Sequence, residues 1–378
     1  MGAGLEGNWK TIWANDISKL KCDTYATNYP GTFIVNRSIQ ALEPEDIPDE
    51  FEMSSATFPC TNTSAAGDRT GLMGIKSGVV YRYVELLKQK GGAQCHPLSL
   101  LENPLGIVSR NKGRDLRELV SRLNTLGYSI CLMNVDAKHF VPQSRPRVLF
   151  ACCAKEYVSE EYVHISKFDF DSANSALIPP VLARWLKSNM DLDLIMPSVL
   201  PSLPERTLQL EHIIDFNDPD TGNWADSKTT LNFLNNLRGK HLELFNKLVS
   251  SPYPTVSTIS RRGRSENGVS YNATEISVSG LAPCIRPYKG GSSRAWVLLT
   301  NGKGGYKIKV ISPREAAALM GFSSSFKLPK NKKDAYSVAG DAVVRHCIKW
   351  FDENVLSKIK MARACDFAST SEYMLSYI

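Results

Sequence analysis

The chain has 378 residues, 43% of them hydrophobic and 22% charged, with a formal net charge of +7. That length can bury one large domain with a smaller one beside it, and the ordinary globular composition excludes a disordered or fibrous chain. The nine cysteines show no C-x-x-C pair and no metal-ligand spacing, no eighteen-residue apolar run occurs, and no signal-type leader precedes the first strand, so reduced thiols, no metal, no membrane span and a cytoplasmic location are expected.

In chain order, KTIWAND at 10–16 reads as a strand closed by an acidic residue, Asp16, and 17–28 as a helix stopped by Pro30-Gly31. By itself Asp16 reads as a helix N-cap, and an acidic strand end also suits a pair of neighbouring hydroxyls, because a carboxylate can accept both hydrogens. Residues 43–52 form an acidic, proline-broken loop. Phe51 to Phe58 reads as a strand that Pro59 stops by removing a backbone donor. The thiol of Cys60 is thereby set at the carboxyl edge of a sheet, where α/β proteins bind ligands and where amides and cations lower a thiol's pKa. Residues 61–78, rich in Gly, Ser and Thr, read as a mobile active-site loop.

Gly78 to Lys90 is helical, and Leu98 to Leu101 is a strand ending in Glu102-Asn103-Pro104. Leu116, Leu119, Leu123 and Leu126 make the core stripe of another helix. Strands over Tyr128–Val135 and Arg147–Cys153 complete an alternating α/β pattern. In FVPQSRPRVLF at 140–150, Gln143, Arg145 and Arg147 alternate, and period two is expected to send all three side chains to one face.

From about 165 the alternation stops, and 165–309 reads as a small irregular domain of short helical pieces and Pro-, Gly- and Arg-rich loops. Residues 251–315 hold ten basic side chains against three acidic ones, an excess equal to the whole net charge. Loops such as RRGRSENG and YKGGSSRAW therefore suit a phosphate backbone, and Trp224 and Trp296 read as core rather than base-stacking residues. Ser312 is expected to cap a helix containing Glu315, and Gly340 to Val343 to open the last helix.

These stretches, FPC at 58–60, EN-Pro at 102–104, Q-x-R-x-R at 143–147, SPREAAALMGF at 312–322 and YSVAGDAVV at 336–344, resemble in order the blocks of the DNA cytosine-5 methyltransferase family, over residues 11 to 351. The resemblance implies a Rossmann-like class I methyltransferase sheet in an α/β fold, with a smaller, irregular target-recognition domain. Domains are placed at 1–164 (catalytic and cofactor-binding), 165–309 (target recognition) and 310–378 (return to the catalytic domain). It implies methyl transfer from S-adenosylmethionine to carbon 5 of a cytosine in a specific sequence of double-stranded DNA, with the base flipped from the stack. Cys60 would be the covalent nucleophile, Glu102 the acid at ring nitrogen 3, and Arg147, supported by Arg145, the clamp on the base's carbonyl oxygen. Asp16, Ile17, Ser38, Ile39, Pro59, Asp341 and Ala342 would meet the cofactor, with Ser38 standing where the family usually has Asp. Gln143, Arg261, Arg262, Arg264, Lys289 and Arg294 would meet DNA.

The family's sheet also needs a first strand and an aromatic-x-Gly turn before KTIWAND, and MGAGLEGNW resembles only the end of that block. The first strand is therefore expected to be absent and cofactor binding weakened. A catalytically impaired remnant that binds DNA and an RNA cytosine-5 methyltransferase are the alternatives, with the basic insert favouring DNA. A thiol enzyme on small molecules would have to use Cys95-His96 or His346-Cys347, whose members, adjacent in sequence, do not face each other on a strand or helix. The chain is expected to be a monomer in a prokaryotic or viral host, any cognate restriction endonuclease acting separately.

Overall fold

The computed structural model describes residues 1–58, 79–171, 173–266, 268–288, 294–360 and 373–377. The chain divides into two compact units, one of Met1–Asp136, Pro146–Leu203 and Arg345–Ile378, the other of Ala137–Arg145 and Pro204–Val344.

The first unit opens with a short helix α1 (Gly2–Leu5), strand β1 (Lys10–Asp16) and helix α2 (Lys19–Asn28), where the Ser18 side chain accepts from the amide of Lys21. Then come β2 (Phe33–Asn36), β3 (Met53–Thr57), α3 (Val79–Gln89), β4 (Leu98–Pro104), α4 (Arg114–Thr125), β5 (Tyr128–Asp136) and β6 (Pro146–Ala154). Leu116, Leu119 and Leu123 of α4 are fully buried, as their helical spacing requires. Every residue of β5 is buried, so the strand is covered on both faces and shows an unbroken apolar run rather than alternation. A small pair, β7 (Tyr162–His164) and β8 (Ile195–Pro197), with α5 (Pro180–Lys187) between them in the chain, completes this passage.

The second unit contains α6 (Ser227–Asn235), α7 (Lys240–Ser250), β9 (Pro254–Glu266), β10 (Val269–Ser277), β11 (Trp296–Asn301), β12 (Tyr306–Val310), α8 (Pro313–Leu319) and α9 (Lys332–Asp341). Its strands form an antiparallel sheet in the order β10-β9-β11-β12. The irregular domain expected from the sequence is thus built on a regular sheet. Arg, Gly and Ser on the exposed half of β9 hide its alternation. One face buries Val297 and Leu299 with Ala316 and Leu319 of α8, and the other buries Leu298, Ile259 and Ile308 with Phe233 of α6. Ser312 and Glu315 form the expected capping box. Gly340 has no room for a Cβ, which would lie 2.2 Å from the backbone carbon of Arg286. Residues 340–343 end α9 instead of opening a helix.

The chain then returns to the first unit with α10 (Arg345–Phe351), α11 (Ser357–Lys360) and β13 (Tyr373–Tyr377). A Cβ on Gly4 would meet the Cβ of Ile348 at 2.6 Å, so only glycine lets α1 pack this closely on α10. Asp352, 2% exposed, accepts from Asn8 Nδ2 at 2.8 Å and Trp9 Nε1 at 2.9 Å, binding the two ends of the chain together.

The seven-stranded sheet runs β2-β1-β13-β3-β4-β6-β5, with β6 antiparallel to both neighbours and the other pairs parallel. Two expectations are corrected here. The place between β1 and β3, expected to lack its strand, is occupied by the C-terminal strand β13. The domain boundaries also move: residues 165–203 belong to the first unit, where β8 pairs with β7, and 310–344 to the second, where α8 packs on its sheet.

Candidate active site

Glu102 and Asn103 sit near the end of β4, inside the strand rather than beyond it. Glu102 is 6% exposed, and its carboxylate lies 2.6 Å from the Nε of Arg147. The antiparallel register sets this pair: Pro104 stands opposite Arg147, so the Arg147 side chain starts one strand away and two residues on from Glu102. Arg147 also donates from Nη1 to the carbonyl of Pro146 at 2.9 Å, which fixes the guanidinium plane. The amino group of Met1 is buried near this carboxylate, where burial pushes it down to about 6 against the opposing pull of Glu102.

Asn103 is fully buried and donates from Nδ2 to the carbonyl of Phe58 at 3.3 Å. It therefore fastens the end of β3, the residue before Pro59 and Cys60, beside the Glu102 strand. Pro59 and Cys60, the proposed nucleophile, lie outside the described residues. In α3, Tyr83 joins Ser54 of β3 at 2.7 Å and Ser99 of β4 at 2.6 Å through its hydroxyl. Burial pushes that phenol's pKa up, so it stays a neutral hydrogen-bonding link.

Asp16, 5% exposed, ends β1, with one oxygen accepting the amide of Ser18 at 2.6 Å and the other 3.5 Å from Lys21. Asn15 donates to the carbonyls of Val35 and Arg37, and Asn36 to those of Asp16 and Ile17, so paired side-chain amides lock the ends of β1 and β2. Ile17 is 72% exposed at this rim, an apolar side chain left bare among polar ones, and Ile39 is half-buried nearby in sequence. A carboxylate next to a bare aliphatic side chain fits a ribose and the face of an adenine. Ser38 caps the following turn by accepting from Gln40 at 3.3 Å.

The second unit holds the remaining expected residues, and several have other partners. Gln143 is fully buried, donating to the carbonyl of Leu319 at 2.9 Å and accepting from the amide of Ile285 at 2.9 Å. Its amide is thus engaged inside this unit rather than at its surface. Arg145, 6% exposed, donates to the carbonyls of Ile285, Gly340 and Ala342. It acts as a clasp on the loop after α9, so Ala342 serves it through its backbone, while Asp341 is exposed at the helix end. The alternation of Gln143, Arg145 and Arg147 does not place them on one face, because β6 starts only at Pro146.

On the β9–β10 hairpin, period two divides the arginines. Arg261 lies over the ring of Phe233, 5.3 Å from its centroid. Arg262 and Arg264 instead line a cavity of about 580 Å³ with Lys240, His241, Ser260 and Glu275. Arg264 donates from Nε to Glu275 at 2.8 Å. Arg294 is exposed and donates to the Tyr288 hydroxyl at 2.5 Å, and Lys289 lies outside the described residues. Trp224 and Trp296 are half-buried, and Lys309 is fully buried between Asp218 at 2.6 Å and Glu315 at 2.8 Å. This ion triad was not foreseen, because a lysine in the K-I-K alternation of β12 gives no local sign of being inside.

Neither small-molecule thiol arrangement is assembled. His96 is stacked on Phe51 with its Nδ1 at the Phe51 carbonyl, while Cys95 is exposed. Cys347 is buried and His346 exposed. Among the described residues no cluster of His, Cys, Asp and Glu could hold a metal ion, and no helix is long and apolar enough to cross a membrane.

Compared with known proteins, residues 1–356 match the family described as C-5 cytosine-specific DNA methylase. The type II methyltransferase M.Bsp6I of Bacillus sp. is 31% identical over 151 residues, 39% of this chain and 46% of that protein. M.HhaI of Haemophilus parahaemolyticus is 21% identical over 350 residues, 92% of this chain and 88% of that protein. The matches to M.Bsp6I and to the two Bacillus subtilis methyltransferases M2.BsuMI and M.BsuFI span only 46%, 37% and 34% of those proteins' lengths. The crystal structure of Dnmt2 methyltransferase from S. pombe shares the fold, with a TM-score of 0.56 over 96% of each chain at 12% identity.

Proposed function

The chain belongs to the C-5 cytosine-specific DNA methylase family, and from that premise we propose that it methylates carbon 5 of cytosine in double-stranded DNA through a thiolate adduct of Cys60. The buried Glu102–Arg147 pair, with Asn103 holding the approach to Cys60 beside it, is the observation that carries this reading. Carbon 5 of cytosine is a poor nucleophile until a thiolate has added at carbon 6. As the sulfur–carbon bond forms, charge moves to ring nitrogen 3, and Glu102 would deliver a proton there. Arg147 would orient that carboxyl and hold the base's carbonyl oxygen through charge-assisted bonds. After methylation the proton on carbon 5 leaves to a base, the electron pair of that bond restores the double bond, and the thiolate is expelled.

S-adenosylmethionine would supply the electrophilic methyl group when bound. Asp16 would accept the ribose hydroxyls, and Ile17 and Ile39 would pack on the adenine. The reaction needs the base turned out of the duplex, and the cations of the second unit, Arg262 and Arg264 among them, would hold the opened backbone.

The test is trapping on mixed-sequence duplex DNA carrying 5-fluorocytosine, where fluorine replaces the proton that must leave. The chain should form a complex that survives denaturing electrophoresis, and Cys60→Ser should form none. A surviving Cys60→Ser complex would overturn the assignment.

A further inference from the structure

We propose that Tyr373–Tyr377, at the far end of the chain, is the central strand of the cofactor-binding sheet, and that cofactor binding depends on it. The cofactor half of this statement rests on the function proposed above, whereas the strand placement stands on the fold.

β13 is parallel to both neighbours. Lys10, Thr11, Trp13, Ala14 and Asn15 of β1 pair with Tyr373 to Tyr377, with a register shift at Ile12, and Met374 to Tyr377 pair with Met53 to Ala56 of β3. Without it the sheet would separate into β2-β1 and β3-β4-β6-β5, each with an unpaired edge. With β13 in place both edges are covered. Trp13, Ala14, Asn15 and Asp16 of β1 are at most 5% exposed, and Met53, Ser54, Ser55 and Ala56 of β3 at most 4%. Strands so completely covered need a hydrogen-bonding partner on each side, since a buried unpaired amide is costly.

The strand also sets a distance that matters for chemistry. Asp16 ends β1, and the Phe58 carbonyl held by Asn103 lies just past the end of β3 on the same carboxyl edge. One intervening strand places β1 and β3 roughly 10 Å apart, twice the spacing of neighbouring strands. A direct β1–β3 pairing would bring Asp16 one strand spacing closer to the Phe58 carbonyl.

The path of the chain agrees. α1 leads into Lys10 at the opposite edge, where β1 pairs with Tyr373. In space, β13, α1 and β1 therefore make one strand–helix–strand unit of parallel strands in which the last strand of the sequence stands before its first helix. The order of elements is rotated relative to the expectation that this strand precedes KTIWAND in the chain.

Three variants of the full chain test this. Ser55→Cys with Ser376→Cys joins positions paired in the register, whose Cα atoms are about 4.8 Å apart and within disulfide range. Oxidation should give the 55–376 bridge by peptide mapping. A rearranged chain, with residues 372–378 removed from the end and fused ahead of Met1, should bind S-adenosylhomocysteine within about threefold of the parent by calorimetry. Deleting 373–378 should weaken that binding at least a hundredfold. Absence of the bridge, a rearranged chain that binds tenfold worse than the parent, or a deletion that binds as the parent does would each overturn the proposal. Formation of the bridge in the double-cysteine variant, together with a parent chain that binds no cofactor, would leave the strand placement standing and overturn the cofactor reading instead.

Discussion

Lys309→Met removes the one cation from a buried triad. The Lys309 side chain is 0% exposed, with Asp218 and Glu315 at 8% and 5%, and its ammonium also donates to the carbonyl of Asp215 at 3.2 Å. Burial pushes the Asp218 carboxyl up, but hydrogen bonds from Lys309 and Asn223 outweigh it and hold the group below its ordinary 3.8. Methionine of similar length fills the space and leaves two carboxylates facing each other without a counter-charge. Removing one partner of a buried pair costs about 3 to 5 kcal/mol, a large share of the roughly 5 to 15 kcal/mol that holds a domain together. With a urea slope of about 2 kcal/mol per molar, the midpoint should fall by roughly 2 M. Amide exchange of peptides covering β11 and β12, followed against urea, reads this locally.

The pH dependence has opposite signs in the two proteins. In the parent, a carboxyl held below 3.8 contributes stability that is present above that value and lost as pH falls through the folded value. In Lys309→Met the carboxylates are destabilising when charged, so the variant should gain stability as acid protonates them. The triple variant Asp218→Asn, Lys309→Met, Glu315→Gln should recover more than half of the loss. A midpoint shift below about 0.5 M, or no recovery in the triple variant, would refute the reasoning.

Glu102→Gln should keep DNA retention in filter binding while single-turnover methylation falls by about 10² to 10⁴, the range for losing a positioned acid; an unchanged rate would remove Glu102 from the chemistry. Replacing Arg262 and Arg264 with Gln should flatten the slope of log affinity against log salt by about 0.9 for each phosphate that is no longer neutralised. Arg261→Gln, which leaves the Phe233 face rather than the cavity, should change it less; equal effects would show that the face on which an arginine stands does not govern its approach to DNA.

Much of this protein could be read locally. The α/β alternation, the leucines of α4 through Leu123 and the Ser312–Glu315 capping box depend on spacing within a few residues and form where the sequence places them, while Leu126 falls just past the helix, half-buried, and β4 runs on through Glu102 to Pro104. Asn103 stands in the same strand as Glu102, but its bond to the Phe58 carbonyl joins residues 45 apart and had no local sign. What tertiary structure decided is which partners distant segments choose. Gln143 and Arg145 show perfect alternation with Arg147, yet β6 begins only at Pro146 and the two residues before it go to carbonyls of Leu319, Ile285, Gly340 and Ala342. Lys309 looks solvated in sequence and is enclosed because Asp218 and Glu315 converge on it from outside its strand. Tyr373 to Tyr377 is a five-residue strand with no local mark of centrality. Its place between β1 and β3 comes from two backbone edges that need hydrogen-bonding partners, a demand written hundreds of residues away and expressed only when the sheet closes around it.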